Sequence, residues 1–267
     1  MNNTQRIIKI VAVALAIFII TSIVNGIFYV LSFAYDYTGT NPNLTDYFNS
    51  FETVDSIDID LATASLTIEK GNTFEIKAFN VDKNFKVKYE NNNLEINEKT
   101  KWFFNTKQNT KITLYIPENY VLDELKIDSG INQINIKDMQ AIHFKLNQGI
   151  GDINITNSHF LNSDIKGGIG EIDVISSTLN NLDLDSGIGD LDIEANIEGD
   201  NKIKCGVGKI KLLILNRDEN YQIHVDKGLG NISINNEKQN DNSIYGLGRN
   251  KIKINGGIGE VEILFKN

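Results

Sequence analysis

The sequence predicts an all-β protein: a parallel single-stranded β-helix (β-solenoid) with coils of about 19 residues, preceded by one transmembrane α-helix. Three observations lead to this prediction. A glycine returns at a fixed interval, apolar residues alternate with polar ones after each glycine, and a long uncharged segment lies near the N-terminus. A fixed period of this length is typical of units that bury their apolar sides by stacking on one another.

The repeat has the form G-x-G, then a polar residue, then a short strand, as in GIGDINI, GIGEIDV and GIGDLDI. The lead glycines from Gly130 to Gly206 are evenly spaced, one per repeat, and Gly228 and Gly257 follow at wider spacings. Because glycine allows positive φ and close backbone approach, each G-x-G suits a corner of the chain. The predicted structural corners are Gly130, Gly149, Gly151, Gly168, Gly170, Gly187, Gly189, Gly206, Gly208, Gly228, Gly230, Gly257 and Gly259.

Apolar residues recur three positions before each lead glycine and one, four and six positions after it. The last two have a period of two, so they share one face of a strand, and most are β-branched. Stacked coils about 4.8 Å apart would turn these columns into a core, with Asp, Asn, Lys and Glu facing water. An antiparallel sandwich or barrel is the alternative, but it gives no reason for a step that repeats so evenly.

The chain begins with a short tail, residues 1–9, that carries Arg6 and Lys9. Residues 10–34 are nearly all apolar and carry no charge, and the run is long enough for one tilted transmembrane helix. The positive-inside rule places the tail in the cytoplasm and the rest outside. The alternative is a cleaved signal peptide, since residues 32–34 resemble a cleavage site, but the apolar run is long for one.

Residues 35–51 are predicted to be a polar linker, residues 52–124 a degenerate first coil with a capping β segment, and residues 125–267 the repeats. Residues 57–68 align on residues 125–136, with alanines in place of the corner glycines. End repeats of stacked proteins must cover an apolar edge, which explains the irregular strands that follow. The aromatic run Trp102, Phe103 and Phe104 is interpreted as packing in this cap, with a platform for a sugar or peptide as the alternative.

The net charge of −9 becomes −11 beyond residue 35, since the first 35 residues carry two basic side chains and no acid. This argues against a nucleic-acid partner, which needs a basic surface, and against electrostatic docking on anionic lipid. The single cysteine, Cys205, permits no intrachain disulfide, and its place just before a corner predicts a structural role.

An acidic stripe is the one candidate metal site. Stacking would align the carboxylates that follow the second glycine of successive repeats, with two more acids two residues further on. Clustered carboxylates suit calcium, but a solvated outer face is the simpler interpretation, so no metal or other cofactor is predicted. The weak metal candidates are Asp152, Glu171, Asp190, Asp173 and Asp192.

Catalytic groups are sparse. The histidines His143, His159 and His224 do not recur in register with a serine, cysteine or paired carboxylate that could form a nucleophile and base. The G-x-G units precede strands rather than the helix that a dinucleotide site requires. We therefore predict that the protein is not an enzyme, with a polysaccharide-active β-helix as a remote alternative.

The stretch ITLYIPENYVLDELKIDSGINQINI (residues 112–136), followed by serial GIG-D/E-I-x-I units, resembles the bacterial "putative adhesin" β-strand-repeat family, a domain-of-unknown-function family. The resemblance covers about residues 52–265 and departs from the family pattern at residues 62–64. It implies a single-stranded β-helix outside the membrane, common in envelope proteins with one N-terminal span. It brings no catalytic residues.

These features together predict a non-enzymatic, single-pass protein of the bacterial cell membrane, with its C-terminal part outside. It would act as an adhesin or binding scaffold, through multivalent contacts along stacked repeats. The predicted partners are the membrane, through the single span, and an envelope glycan or a membrane protein. A regulatory component of a cell-envelope stress system, acting through a membrane partner, is the alternative function.

Overall fold

The computed structural model describes residues 44–98, 109–226 and 228–266. Within these ranges the chain forms 23 β-strands, one 3-10 turn at Asp218–Asn220 and no α-helix, so the predicted all-β class is confirmed. The strands before the regular repeats are β1 (Thr45–Phe51), β2 (Ser56–Leu61), β3 (Ser65–Gly71), β4 (Phe74–Val81), β5 (Lys86–Glu90), β6 (Asn93–Glu98) and β7 (Lys111–Pro117).

The repeats supply the remaining strands. The strands up to the 3-10 turn are β8 (Val121–Ile131), β9 (Ile134–Lys137), β10 (Gln140–Ile150), β11 (Ile153–Thr156), β12 (His159–Ile169), β13 (Ile172–Asn180), β14 (Leu182–Ile188), β15 (Leu191–Glu198), β16 (Asp200–Val207) and β17 (Ile210–Ile214). The strands after it are β18 (Tyr221–Asp226), β19 (Ile232–Ile234), β20 (Glu237–Lys238), β21 (Ser243–Tyr245), β22 (Asn250–Ile258) and β23 (Val261–Phe265).

Two rows of hydrogen-bonded strands run through the fold. Row A has the order β5-β6-β2-β8-β10-β12-β14-β16-β22-β18-β21. Row B has the order β1-β4-β7-β3-β9-β11-β13-β15-β17-β23-β19-β20. A corner joins most row A strands to the next strand in row B, and each such pair is called a layer here.

The central layers step along the chain by one repeat at a time, in parallel register. Ile127 pairs with Leu146, Leu146 with Ile165, Ile165 with Leu184, and Leu184 with Ile203. The irregular segment joins the same stack, since Ile59 pairs with Ile127 and Ile68 with Ile136. A uniform register keeps like residues on top of one another, so every layer adds to the same apolar columns.

The predicted parallel single-stranded β-helix is nevertheless wrong, because the sheet is mixed and not closed. Five pairings are antiparallel, β1–β4, β4–β7, β5–β6, β18–β21 and β19–β20, and all lie at the two ends of the rows. Antiparallel strands cover the hydrogen-bonding edges of the outermost parallel layers, edges that would otherwise template aggregation.

The layers also depart from chain order at both ends, which a single-stranded β-helix does not do. Strands β2 and β3 lie between β6–β7 and β8–β9. Strands β22 and β23 lie between β16–β17 and β18–β19. The wide spacings at Gly228 and Gly257 accompany this insertion, because the repeat at Gly257 lies in the stack between the repeats at Gly206 and Gly228.

The predicted transmembrane helix, residues 10–34, lies outside the described residues, as do the tail, most of the linker and the aromatic run at residues 102–104. Among the residues that the structure describes, no helix is long and apolar enough to cross a membrane.

The core follows the predicted columns with one exception. The residues three before and four and six after each lead glycine are buried along the whole stack. The residues one after it are only half-buried, and Leu229 is 47% exposed. This column sits at the corner, where the chain passes from row A to row B, so it covers the edge of the core. The centre is filled further by Phe144 and Phe160, whose rings stack 4.2 Å apart.

Tyr221 is fully buried near the C-terminal end of the stack. Burial raises its pKa to about 12, the charge of Glu198 adds to this, and the backbone of Ile197 opposes it. Because the folded-state pKa lies above the ordinary value near 10, the folded protein holds this proton more tightly than the unfolded chain. The resulting stability is complete below pH ~10 and is lost as the pH rises through ~12.

We therefore expect Tyr221→Phe to remove part of the alkaline sensitivity. Wild type should lose about 2 kcal/mol more unfolding free energy between pH ~9 and ~12 than the variant does, since each pKa unit corresponds to about 1.4 kcal/mol and the loss is complete only above the folded-state pKa. Urea unfolding across this pH range measures the difference. If the unfolding free energies of the two proteins depend on pH in the same way, the pKa of Tyr221 does not differ between the folded and unfolded states.

Candidate binding surface

The corner glycines have a steric role in the structure. A Cβ on Gly149 would lie 2.7 Å from the carbonyl oxygen of Gly130, and one on Gly168 would lie 2.0 Å from that of Gly149. The second glycines of the corners also have positive φ, such as +146° at Gly170 and +142° at Gly189. Successive layers therefore approach more closely at the corners than side chains would allow.

The last two corners follow the spatial order of the layers rather than the order of the chain. A Cβ on Gly257 would lie 2.0 Å from the carbonyl oxygen of Gly206, whereas one on Gly228 would meet the carbonyl oxygens of Gly256 and Gly257, both at 2.3 Å. The corner at Gly257 thus lies directly over Gly206, and the corner at Gly228 lies over Gly257. The thirteen predicted glycines form one continuous ridge in this order.

A surface groove with a volume of about 640 Å³ runs along the first corners of this ridge. Its lining combines the backbones of Gly130, Gly149 and Gly168 with the side chains of Asn147 and Lys166. Because adjacent layers are about 4.8 Å apart, the polar groups recur at that interval along the groove. The groove is open, carries polar side chains beside apolar atoms and is long in the stacking direction, which suits an extended ligand better than a compact one.

The acidic stripe is brought into line, and two of its carboxylates, those of Asp152 and Asp190, bind backbone. Asp152 accepts a hydrogen bond from the N–H of Glu171 at 3.1 Å, and Asp190 accepts one from the N–H of Lys209 at 2.8 Å. Each carboxylate therefore caps the corner of the next layer. Asp152 and Asp190 therefore have a structural role that needs no ion.

The other acidic column of the stripe mixes with lysine. Asp173, Asp192 and Lys211 follow one another in register, and Lys211 forms an ion pair with Asp192 at 3.1 Å. Burial and the nearby charges of Asp192 and Asp152 raise the pKa of Asp173. In the described part of the chain, no three His, Cys, Asp or Glu side chains are grouped so that they could hold a metal ion.

We expect Asp190→Ala to lower the free energy of unfolding by about 1 kcal/mol, because the backbone N–H of Lys209 loses its acceptor. Asp183→Ala is the matched control, since this exposed acid on β14 has no ion pair in the described structure and should change stability by less than about 0.5 kcal/mol. Urea unfolding with and without millimolar calcium measures both effects. A calcium-dependent rise in the melting temperature that Asp190→Asn abolishes would instead establish the stripe as an ion site.

Glu98 stabilises one corner of the fold, a role that was not predicted from the sequence. It is 5% exposed, and its carboxylate accepts hydrogen bonds from the backbone N–H groups of Ala62, Thr63 and Ala64 at 2.8, 2.9 and 3.2 Å. This is the corner where alanines replace the glycines. The alternation of strand β6 carries a signal, because Leu94, Ile96 and Glu98 share the inward face.

Cys205 is buried, and burial raises the pKa of its thiol. Its register neighbours are Ser186 and Gly256, so the column accepts small side chains. A buried thiol with a raised pKa is a poor nucleophile.

The structure does not assemble the histidines into a catalytic group. His143 pairs in register with Asn162 and Glu124, His159 with Gln140 and Thr178, and His224 with Lys253 and Ile244. They lie on three strands, β10, β12 and β18, and no register neighbour is a nucleophile held beside a base.

Comparison with known proteins gives one family and several distant structures. The profile of the family described as Toastrack DUF4097 matches residues 54–132 and 122–263. No curated protein matches the chain significantly.

Three solved structures show the range of similarity. A "putative cell adhesion protein" from Clostridium sporogenes is 16% identical over 84% of this chain and 100% of its own, with a TM-score of 0.40. A "putative adhesin" from Parabacteroides distasonis is 11% identical over 83% and 97%, with a TM-score of 0.42. A "putative lipid binding protein" from the same species is 13% identical over 83% and 97%, with a TM-score of 0.36.

Proposed function

This chain belongs to the Toastrack DUF4097 family, and from that premise we propose that it is a non-enzymatic binding scaffold of the bacterial cell envelope. The observation that carries the proposal is the stack itself. In the described part of the chain, eight layers, from β2–β3 to β18–β19, lie in parallel register and present the same outward positions repeatedly. Such a surface favours ligands that repeat at a similar interval, because many weak contacts then act together.

The groove along the first corners is the part of this surface that we assign to an extended glycan. Its glycine backbones leave room for a sugar ring to approach closely, and its amide, carboxylate and ammonium groups can hydrogen-bond to hydroxyls. The spacing of about 4.8 Å between layers is close to the length of one sugar unit in an extended chain. A linear envelope polysaccharide would therefore meet one polar side chain per layer, in the order Asp128, Asn147 and Lys166.

We further propose that residues 10–34 anchor the scaffold in the membrane. The segment is long, apolar and uncharged, and Arg6 and Lys9 precede it. These features favour a single span with the N-terminus in the cytoplasm and the strands outside. The envelope polymers would then lie on the same side of the membrane as the groove.

A retention assay with the full-length chain in mild detergent tests the binding proposal. The immobilised protein is offered washed cell-wall material and, separately, detergent-solubilised membranes from the same bacteria. We expect retention of wall glycan, and weaker retention by Lys166→Glu, which reverses a charge in the groove. Lys238→Glu, an exposed lysine outside the groove, is the matched control and should behave as wild type.

Two other results would contradict the proposal. Capture of one membrane protein without wall retention would support a regulatory function through a membrane partner. Release of soluble fragments from the wall glycan would identify a polysaccharide-active enzyme.

A further inference from the structure

A row of basic side chains, called the cationic row after its two lysines, crosses the outer face of row A near its C-terminal end. Lys202 on β16 pairs in register with Lys253 on β22, and Lys253 pairs with His224 on β18. Parallel register puts the three side chains side by side at intervals of about 4.8 Å. Two lysines and a histidine therefore point outward within a width of about 10 Å.

The row differs from other places on the outer face, where a lysine has an acidic partner. Lys126 pairs with Asp58 at 3.0 Å, Lys204 with Asp185 at 3.4 Å, and Lys211 with Asp192 at 3.1 Å. In the described part of the chain, Lys202 and Lys253 have no such ion pair. Like charges directly opposite one another destabilise a sheet, so a bound anion would stabilise the pairing of Lys202 with Lys253.

The row lines a groove of about 400 Å³ that also has an apolar side. Ile244 on β21 lies opposite His224 in register and is 63% exposed. Gln222 adds an amide, and Lys251, which lies 3.8 Å from Asp200, adds a further ammonium group. Ammonium and imidazole donors beside an exposed aliphatic side chain suit a ligand with one anionic group and a neighbouring ring or chain.

The limits of the row decide the size of the ligand. Asp183 lies beside Lys202 in register and ends the row on one side, and β21 ends it on the other. A long polyanion would extend over Asp183, whereas a single phosphate would stay within the row. A bilayer is flat and cannot enter a concave groove, which favours a soluble group over a lipid surface.

We propose that this groove binds a phosphate monoester of a sugar, such as a phosphorylated end group of an envelope glycan. The phosphate oxygens would accept hydrogen bonds from Lys202 and Lys253, and the ring would contact Ile244. The assignment rests on the proposed function, because it names a second chemical feature of the glycan that the scaffold would bind. The groove along the glycine corners and this groove are lined by different residues.

Equilibrium dialysis of the full-length chain in non-ionic detergent, with glucose 6-phosphate as the probe, tests this proposal. We expect measurable binding that falls at least about tenfold in the double variant Lys202→Gln/Lys253→Gln, because both charged donors are lost. Lys145→Gln is the matched control, since Lys145 occupies the same outward column on β10 without an ion pair in the described structure, and it should bind as wild type. Ile244→Asp, at an exposed position, should also abolish binding.

The double variant should fold, because it removes a repulsion, and an unchanged or higher melting temperature will show this. Equal binding by wild type and the double variant would overturn the assignment. Inorganic phosphate binding as tightly as glucose 6-phosphate would overturn the part assigned to Ile244, and binding of phosphatidylglycerol vesicles in place of the sugar phosphate would identify a lipid site. The two proposals can fail separately. If the dialysis overturns the phosphate site but the protein still retains wall glycan, the proposed scaffold function stands.

Discussion

Gly189→Ala is expected to lower the free energy of unfolding by about 3–5 kcal/mol. The residue lies in a central corner with φ of +142°, and a Cβ there would lie 1.9 Å from the carbonyl oxygen of Gly170. The obstacle is backbone, which cannot move without displacing the layer below it. A loss of this size is a large part of the stability of an ordinary domain, so expression of the variant should also fall.

Gly167→Ala is the control, because it adds the same methyl group beside the neighbouring corner, in the layer below. Its φ lies outside the left-handed region, and the nearest atom to the new Cβ is Cδ1 of Ile172 at 2.8 Å, the end of a flexible side chain. A small local shift should relieve this contact at a cost of about 1 kcal/mol. Urea unfolding of both variants gives the comparison, and similar losses for the two would show that the corner backbone does not determine the need for glycine.

Glu98→Ala is expected to cost about 3–5 kcal/mol, because three backbone N–H groups lose a charged acceptor at once. The carboxylate is buried, so water can replace it only in part. Glu98→Gln retains one acceptor oxygen and should cost about half as much.

Glu95→Ala on the same strand is the matched control for this experiment, since its side chain lies on the outer face of β6. We expect it to change stability by less than about 0.5 kcal/mol. Chemical unfolding of the three variants separates the effects. A loss for Glu98→Ala no larger than for Glu95→Ala would mean that the amides of Ala62, Thr63 and Ala64 do not depend on this carboxylate.

The repeat in the sequence predicted the register of the centre of the fold but not its ends. Successive residues such as Ile127, Leu146 and Ile165 are stacked because the apolar period and the constant step between repeats agree. At both ends that step fails, and the stack inserts strands from later or earlier in the chain. Which strands cover the edges depends on the whole sheet, and no local sequence pattern at Gly228 or Gly257 indicates which repeat lies outermost.

The candidate sites, like the fold, could be predicted only in part. The corner glycines and the alignment of the acidic stripe could be predicted from spacing, whereas the capping by Asp152 and Asp190 required the observed distances. The cationic row could not be predicted at all, because Lys202 and Lys253 lie far apart in the sequence and become neighbours only when β22 enters between β16 and β18. The insertion of β22 thus covers the edge of β16 and also brings Lys253 beside Lys202.

Every partner that we propose depends on which side of the membrane the strands lie, and cysteine labelling in intact cells measures this directly. The background is Cys205→Ser, which the small column formed with Ser186 should tolerate. Lys238→Cys then places one thiol on the exposed strand β20, and Asn3→Cys places one in the tail as the control for the opposite side.

We expect a membrane-impermeant maleimide to label Lys238→Cys in intact cells and to label Asn3→Cys only after the membrane is permeabilised. Labelling of Lys238→Cys only after permeabilisation would place the strands in the cytoplasm and contradict the proposed envelope scaffold.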